Sequence, residues 1–287
     1  SSQPARAVRG RWLAAGLVVG LAAGGVVASV RAAGGPVPSV FSPITPCRLM
    51  DTRPGSTVGP RSVPLGANET YTAQVTGANG QCTIPGDATA VVMNLTSVNP
   101  TAVGYVTLFP AGSVRPTASN LNYVAGQTIA NAAVVKVGDN GKVCVYTWAA
   151  ANVIVDLNGK FSESGGMSYV ARAPERVLDS RSGDAITDGQ TVEITFPGIM
   201  PAINIDNVPN GAATFTVTAT GATADGYVTA FQCGTTMPET SNLNFVAGHP
   251  ISALVTAPVS SSGKVCLYVH GSTHIAVDWS GRYVALV

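Results

Sequence analysis

The chain has 287 residues, of which 46% are hydrophobic and only 11% charged, with 32 glycines, 19 prolines and a formal net charge of +1. So few charges exclude the clustered Lys and Arg on which phosphate contacts depend, and nucleic acid is set aside as a partner. Helix formers such as Glu, Lys and Gln are scarce beside abundant Gly, Pro, Thr, Val and Asn, which excludes a helical bundle and predicts short strands joined by tight turns.

The first element is a leader. Arg6, Arg9 and Arg11 precede residues 12–30, a stretch without a charge, and Ala32, Ala33, Gly34 and Gly35 follow. This positive, apolar, small-residue order predicts a secretory signal peptide over residues 1–35, with Val30-Arg31-Ala32 as the cleavage site. The other reading is a retained anchor, since residues 12–30 nearly span a hydrocarbon core and Arg31 supplies a flank. Membrane contact is then expected through residues 12–30 alone. Both readings place the rest of the chain outside the cytoplasm.

A first module is predicted over residues 36–161. Val91, Met93 and Leu95 alternate with Val92, Asn94 and Thr96, the period of a strand with one face buried. Asn140-Gly141 and Asn158-Gly159 mark turns, because Asn and Gly tolerate the positive φ that tight turns need. Ser162-Glu163-Ser164-Gly165-Gly166 opens a short polar linker, assigned to residues 162–167. The second module, residues 168–287, repeats the pattern: Phe215, Val217 and Ala219 alternate with Thr216, Thr218 and Thr220, and Ser262-Gly263 marks a hairpin. Seven or eight strands per module predict an all-β fold of two tandem β-sandwich, jelly-roll-like modules.

The two modules are copies. Gly104-Tyr105-Val106-Thr107 recurs as Gly226-Tyr227-Val228-Thr229, and Ser119-Asn120-Leu121-Asn122-Tyr123-Val124-Ala125-Gly126 recurs as Ser241-Asn242-Leu243-Asn244-Phe245-Val246-Ala247-Gly248. Gly141-Lys142-Val143-Cys144 recurs as Gly263-Lys264-Val265-Cys266, and Asp156 and Gly159 recur as Asp278 and Gly281, all at one offset of 122 residues. Upstream, Pro46, Arg48, Asp51 and Arg53 pair with Pro174, Arg176, Asp179 and Arg181. Each copy, at about 120 residues, is large enough to bury its own core.

Five cysteines in an exported chain read first as disulfides. Cys266 matches Cys144, but Cys233 falls opposite Ala111, and Cys47 and Cys82 fall opposite Glu175 and Asp206. The economical solution is Cys233–Cys266 and Cys47–Cys82, leaving Cys144 as a free, buried thiol. A Cys82–Cys144 bond is the alternative.

The string Pro46-Cys47-Arg48-Leu49-Met50-Asp51-Thr52-Arg53, taken with the repeated blocks above, resembles a β-rich repeat module of secreted and cell-surface proteins from high-GC Gram-positive, actinobacterial bacteria. The resemblance runs from about Phe41 to Tyr283. It implies an extracellular or cell-surface location, alone or beside cell-wall hydrolases, and implies no particular activity. Glu175 stands where the first copy has Cys47, so a first-strand disulfide is not carried over to the second.

Candidate chemistry is sparse. Asp51 with Arg53, and Asp179 with Arg181, place a carboxylate and a guanidinium on one strand face; they are read as structural ion pairs tying the first strand to its sheet. Asn120, Asn122, Asn242 and Asn244 are read as caps on irregular backbone rather than sugar ligands. His270, His274 and Asp278 lack the surrounding ligands of a metal site. Ser261 and Lys264 sit in a hairpin turn, not at the helix start that a serine–lysine nucleophile pair requires. No cofactor or metal is called for, and the chain is expected to be non-catalytic.

Two roles remain. The first is a structural or interaction protein of the cell surface, with a protein partner or with self-association through sheet edges poor in Lys and Glu. The second is a carbohydrate or peptidoglycan-binding module, for which Tyr146, Trp148, Tyr268 and Trp279 are the candidate ligand-facing aromatics. Whether Trp148 and Trp279 lie exposed side by side separates the two.

Overall fold

The computed structural model describes residues 39–196 and 211–285, so the leader lies outside the described residues. No helix among the described residues is long and apolar enough to cross a membrane. The fold is all-β. Ten strands make the first module: β1 Val40–Asp51, β2 Glu69–Gln74, β3 Gly77–Asn79, β4 Cys82–Ile84, β5 Ala90–Val98, β6 Gly104–Pro110, β7 Leu121–Tyr123, β8 Ile129–Lys136, β9 Lys142–Thr147 and β10 Asn152–Ser162. The second holds β11 Met167–Asp179, β12 Thr191–Thr195, β13 Ala212–Thr220, β14 Gly226–Gln232, β15 Leu243–Phe245, β16 Ile251–Pro258, β17 Lys264–His270 and β18 His274–Ala285.

Each module is a sandwich of two antiparallel sheets. The first pairs β1-β10-β5-β8 against β2-β9-β6-β7, with β3 and β4 as a separate hairpin, and the second pairs β11-β18-β13-β16 against β12-β17-β14-β15. The first strand of each module lies beside its last, and the second beside its next-to-last, which is the jelly-roll order. The alternation read from the sequence sets the faces. Met93, Leu95, Val155 and Leu157 enter the core of the first module. Phe215, Val217, Val277 and Trp279 enter that of the second. Each sandwich therefore buries its own apolar set, but the opposite face of β5 is not wet as the alternation implied: Val92, Asn94 and Thr96 are buried too, where the second module covers them.

Two pairs of repeated glycines are explained by close approach. A Cβ at Gly159 would strike the ring of Phe41, and one at Gly281 would strike the ring of Tyr169. At Gly104 it would meet Tyr123, and at Gly226 it would meet Phe245 and the His270 carbonyl. Aromatic side chains thus lie directly on these strands, at positions where the residue carries no side chain of its own.

The modules do not hang as separate beads, because the described residues of both belong to one compact unit. β10 ends at Ser162 and β11 starts at Met167. The linker residues between them let Phe41 of β1 pair with Met167 of β11, and this joins the two inner sheets into one of eight strands. Two first-strand edges thereby meet each other, which shields them from other chains at this end. An apolar seam seals the junction: Phe41, Val92 and Ala212 are buried together, with Phe161 and Tyr283 against them. The Phe41 ring lies 4.2 Å from Tyr283 and 5.3 Å from Phe161.

Cys47–Cys82 ties β1 to β4, and Cys233–Cys266 ties the end of β14 to β17. Cys144 is free and buried, so the Cys82–Cys144 alternative does not form.

Candidate functional site

The charged residues of the first strand explain themselves once the sheet is in place. Asp51 and Arg53 do pair, Nη2 to Oδ2 at 2.7 Å, but Arg53 lies beyond the end of β1 and its main-chain N–H also donates to Asp51 Oδ1. This pair therefore staples a turn. The tie to the sheet comes from Arg48, whose Nε donates to Asp156 Oδ1 on β10 at 2.9 Å and whose Nη1 reaches Asp51. In the second module Arg181 staples Asp179 in the same way, and Arg176 donates to Asp278 through Nε and Nη2, both at 2.8 Å. Reading Asp51–Arg53 and Asp179–Arg181 as strand ties is corrected in this respect: the cross-strand cation is the arginine three residues before each aspartate.

The two copies of this network sit in different surroundings. Asp156 is fully buried, and the Asn94 side chain beside it donates to the carbonyl of Ser241 from the second module. Burial pushes the Asp156 carboxyl up to about 6, although Arg48 pulls it the other way. Asp278 is partly exposed, and the Arg176 guanidinium holds its carboxyl below the usual range. Both networks are consumed in structure, and neither leaves a free acid or base.

The predicted aromatic cluster is taken apart. Trp279 is completely buried in the second core, its ring 5.4 Å from Phe196, and its Nε1–H donates to the Gly281 carbonyl. Tyr146 is buried too, its hydroxyl donating to Asn68 and its ring covered by the Arg115 guanidinium. Neither presents a face to a ligand. Trp148 is 49% exposed, and Tyr268 is half-buried on β17.

Trp148 finds its companion in a residue the sequence reading passed over, Tyr105 on β6. The two rings stack 5.8 Å apart with planes 21° from parallel, and the main-chain N–H of Trp148 donates to the Tyr105 carbonyl. Exposed Val103 and Val124 extend this ledge, and Asn122 and Gln127 border it around a cleft of about 490 Å³. The repeat places a second ledge at the equivalent positions, Tyr227 and His270, with rings 4.9 Å apart. His270 Nδ1 pairs with Asp188 at 3.0 Å. Burial, with the neighbouring Tyr268 and Asp188, raises the Tyr227 hydroxyl above its ordinary value.

Tyr227 and His270 line a larger cavity of about 830 Å³ together with Asp225, Asn244 and His249, and residues 124–128 of the first module form its other wall. Val124 and Gln127 border both cavities, so the two ledges open onto one surface. The repeated Gly-Tyr-Val-Thr block carried the signal for Tyr105 and Tyr227.

The remaining candidates are structural. Asn120 Oδ1 accepts from the Leu108 N–H and Asn242 Oδ1 from the Ala230 N–H, both at 2.7 Å, holding the chain beside β6 and β14. Asn122 and Asn244 stay on the cleft borders. His274 Nδ1 lies against the Ser180 carbonyl and Asp278 is held by Arg176, so His270, His274 and Asp278 do not converge. Lys264 Nζ donates to Glu193 rather than to a serine. Glu193, Cys233 and Cys266 are close enough to hold a metal, but the two sulfurs are bonded to each other.

No family model matches the chain. No curated protein matches it either. Among solved structures, the PBSX exported protein XepA is 11% identical over 83% of this chain and 86% of its own, with a TM-score of 0.25. The tandem CBM22-1–CBM22-2 domains of Paenibacillus barcinonensis Xyn10C are 8% identical over 83% of this chain and 98% of theirs, with a TM-score of 0.21. The T=3 Penaeus vannamei nodavirus gives 8% identity over 96% of this chain and 100% of its own, with a TM-score of 0.19. Scores this low do not mark a shared fold.

Proposed function

We propose that the chain is a non-catalytic exported protein that works by contact at the cell exterior, as a structural or interaction component. The observation that carries this reading is how its side chains are used. Arg48 with Asp156 and Arg176 with Asp278 are tied up in pairing across strands, and the ledge of the first module, Tyr105 and Trp148 with Asn122 and Gln127, is aromatic and amide. Catalysis by side chains needs an acid, base or nucleophile free to exchange a proton, and a paired carboxylate is a poor one. Two disulfides fit an oxidising compartment, and the leader supplies the route there.

A second reading, binding of cell-wall glycan, is favoured by one specific feature. A half-exposed Trp stacked on Tyr, bordered by amides, is chemistry suited to the apolar face and hydroxyl rim of a sugar ring. Co-sedimentation of the purified chain with isolated Gram-positive walls separates the two readings. Saturable binding that disappears in a folded Trp148→Ala variant selects the glycan reading. Wall association that survives this change selects a protein-partnered or structural role. Turnover of a wall polymer or peptide by the purified chain would overturn both.

A further inference from the structure

The two aromatic ledges occupy equivalent positions in the two copies, yet they do not form two separate sites. Val124 and Gln127 border the Tyr105–Trp148 cleft and also the cavity that holds Tyr227 and His270. The wall between the ledges comes from both modules, because residues 124–128 of the first face residues 244–246 of the second across the larger cavity. We infer that the ledges are the two ends of one groove that crosses the module junction and takes a linear, uncharged polysaccharide. This rests on the glycan reading above and extends it to the ligand's length and charge.

Length follows from the layout. The two ring pairs, Tyr105–Trp148 and Tyr227–His270, lie in cavities that share Val124 and Gln127, so separate sugar units are held at each end while the units between lie along Val124, Gln127 and Asn244. Polar capacity remains along this wall. Gln127 uses Oε1 to accept from the Val124 N–H, Asn244 uses Oδ1 in its bond with Ser241, and Asp225 uses Oδ1 to accept from the Ala247 N–H. The other polar atom of each side chain is available to hydroxyl groups, and the first atom holds the side chain in place, which lowers the entropic cost of binding.

Charge follows from the lining. Neither cavity is bordered by a lysine or an arginine among the described residues, whereas Asp225 stands in the larger one beside two histidines, His249 and His270, the second of them paired with Asp188. A polyanion would bring negative charge to a wall that offers an aspartate and no lysine or arginine, a juxtaposition that penalises binding. Uncharged glycans meet no such penalty.

The test is calorimetric titration of the purified chain with chito-oligosaccharides and cello-oligosaccharides, each from disaccharide to hexasaccharide, with hyaluronan fragments as the anionic arm. Affinity is expected to rise with length and then level off, and the anionic series is expected to bind at least about tenfold more weakly. Trp148→Ala is expected to weaken the longest oligomer by about tenfold or more. His270→Ala is expected to abolish the gain from added length while leaving the short oligomers bound as before. Both side chains are about half exposed, so the variants fold, and circular dichroism checks this. Short oligomers bound as tightly as long ones, with His270→Ala silent, would overturn the shared groove and leave a single-ledge glycan site standing. Preference for the anionic series would overturn the charge assignment, and absence of any binding would overturn both.

Discussion

Replacing Trp279 by Ala should damage the protein far more than replacing Trp148. Trp279 is fully buried among Phe196, Phe215 and Val277, and its indole N–H is satisfied by the Gly281 carbonyl at 2.7 Å. A buried indole of about 200 Å² contributes roughly 5 kcal/mol at ~25 cal/mol/Å², and large-to-small changes of this kind cost about 3–5 kcal/mol once partial collapse of the cavity is allowed. For a unit of this size that lowers the melting temperature by roughly 10–15 °C. Trp148, half exposed at the end of β9, should cost under about 1 kcal/mol. Leu157 occupies the place of Trp279 in the first core, so Trp279→Leu should recover part of the loss. Urea denaturation followed by circular dichroism measures all three. Equal costs for the two tryptophans, or a near-silent Trp279→Ala, would refute the assignment of one to the core and the other to the surface.

Four further outcomes follow from the same geometry. Ala111→Cys should close a third disulfide with Cys144, because Ala111 packs against Cys144, and Phe109 pairs with Cys144 as Phe231 pairs with Cys266; thiol counting and mass spectrometry should find no free cysteine and a gain of about 2–4 kcal/mol. Carboxyl NMR should place Asp156 near 6 and Asp278 below 3.8. Being raised, Asp156 contributes stability that is full below its unfolded value and fades as pH rises through about 6, by roughly 3 kcal/mol; Asp278, being lowered, contributes above 3.8 and loses its share as pH falls. Gly159→Ala should cost about 1–3 kcal/mol because its Cβ meets the immobile Phe41 ring, whereas Gly281→Ala meets the exposed Tyr169 ring, which can swing aside, and should cost under about 1 kcal/mol by thermal melting. Opening Cys233–Cys266 by a double Cys→Ser change should cost about 3–4 kcal/mol, from the 33-residue separation it closes.

Much of this was legible in the chain because a strand's period of two assigns each side chain to a face, and the repeat then constrained the second copy. Met93 and Leu95 enter one core as Phe215 and Val217 enter the other. The cysteine pairing was legible because Cys233 and Ala111 occupy matching positions, leaving Cys144 without a partner. The tryptophans were misjudged although the repeat held the answer. Trp279 matches Leu157 and follows Ile275 and Val277 on the buried face, whereas Trp148 matches His270, a residue at home in water. What sequence alone does not encode locally is the junction. Phe41 meets Met167, and Asn94 meets Ser241, across long separations and through one contact each. Neither pattern nor turn chemistry reports such contacts, which arise only when two finished sandwiches pack.

The most direct check on the proposal that the chain works by contact at the cell exterior is fractionation of intact producing cells with a membrane-impermeant label, followed by thiol mapping of the recovered chain. The account predicts labelled chain in the wall or medium fraction, with Cys47–Cys82 and Cys233–Cys266 closed and Cys144 the one free thiol. Unlabelled chain in the cytoplasm with all five cysteines reduced would contradict it.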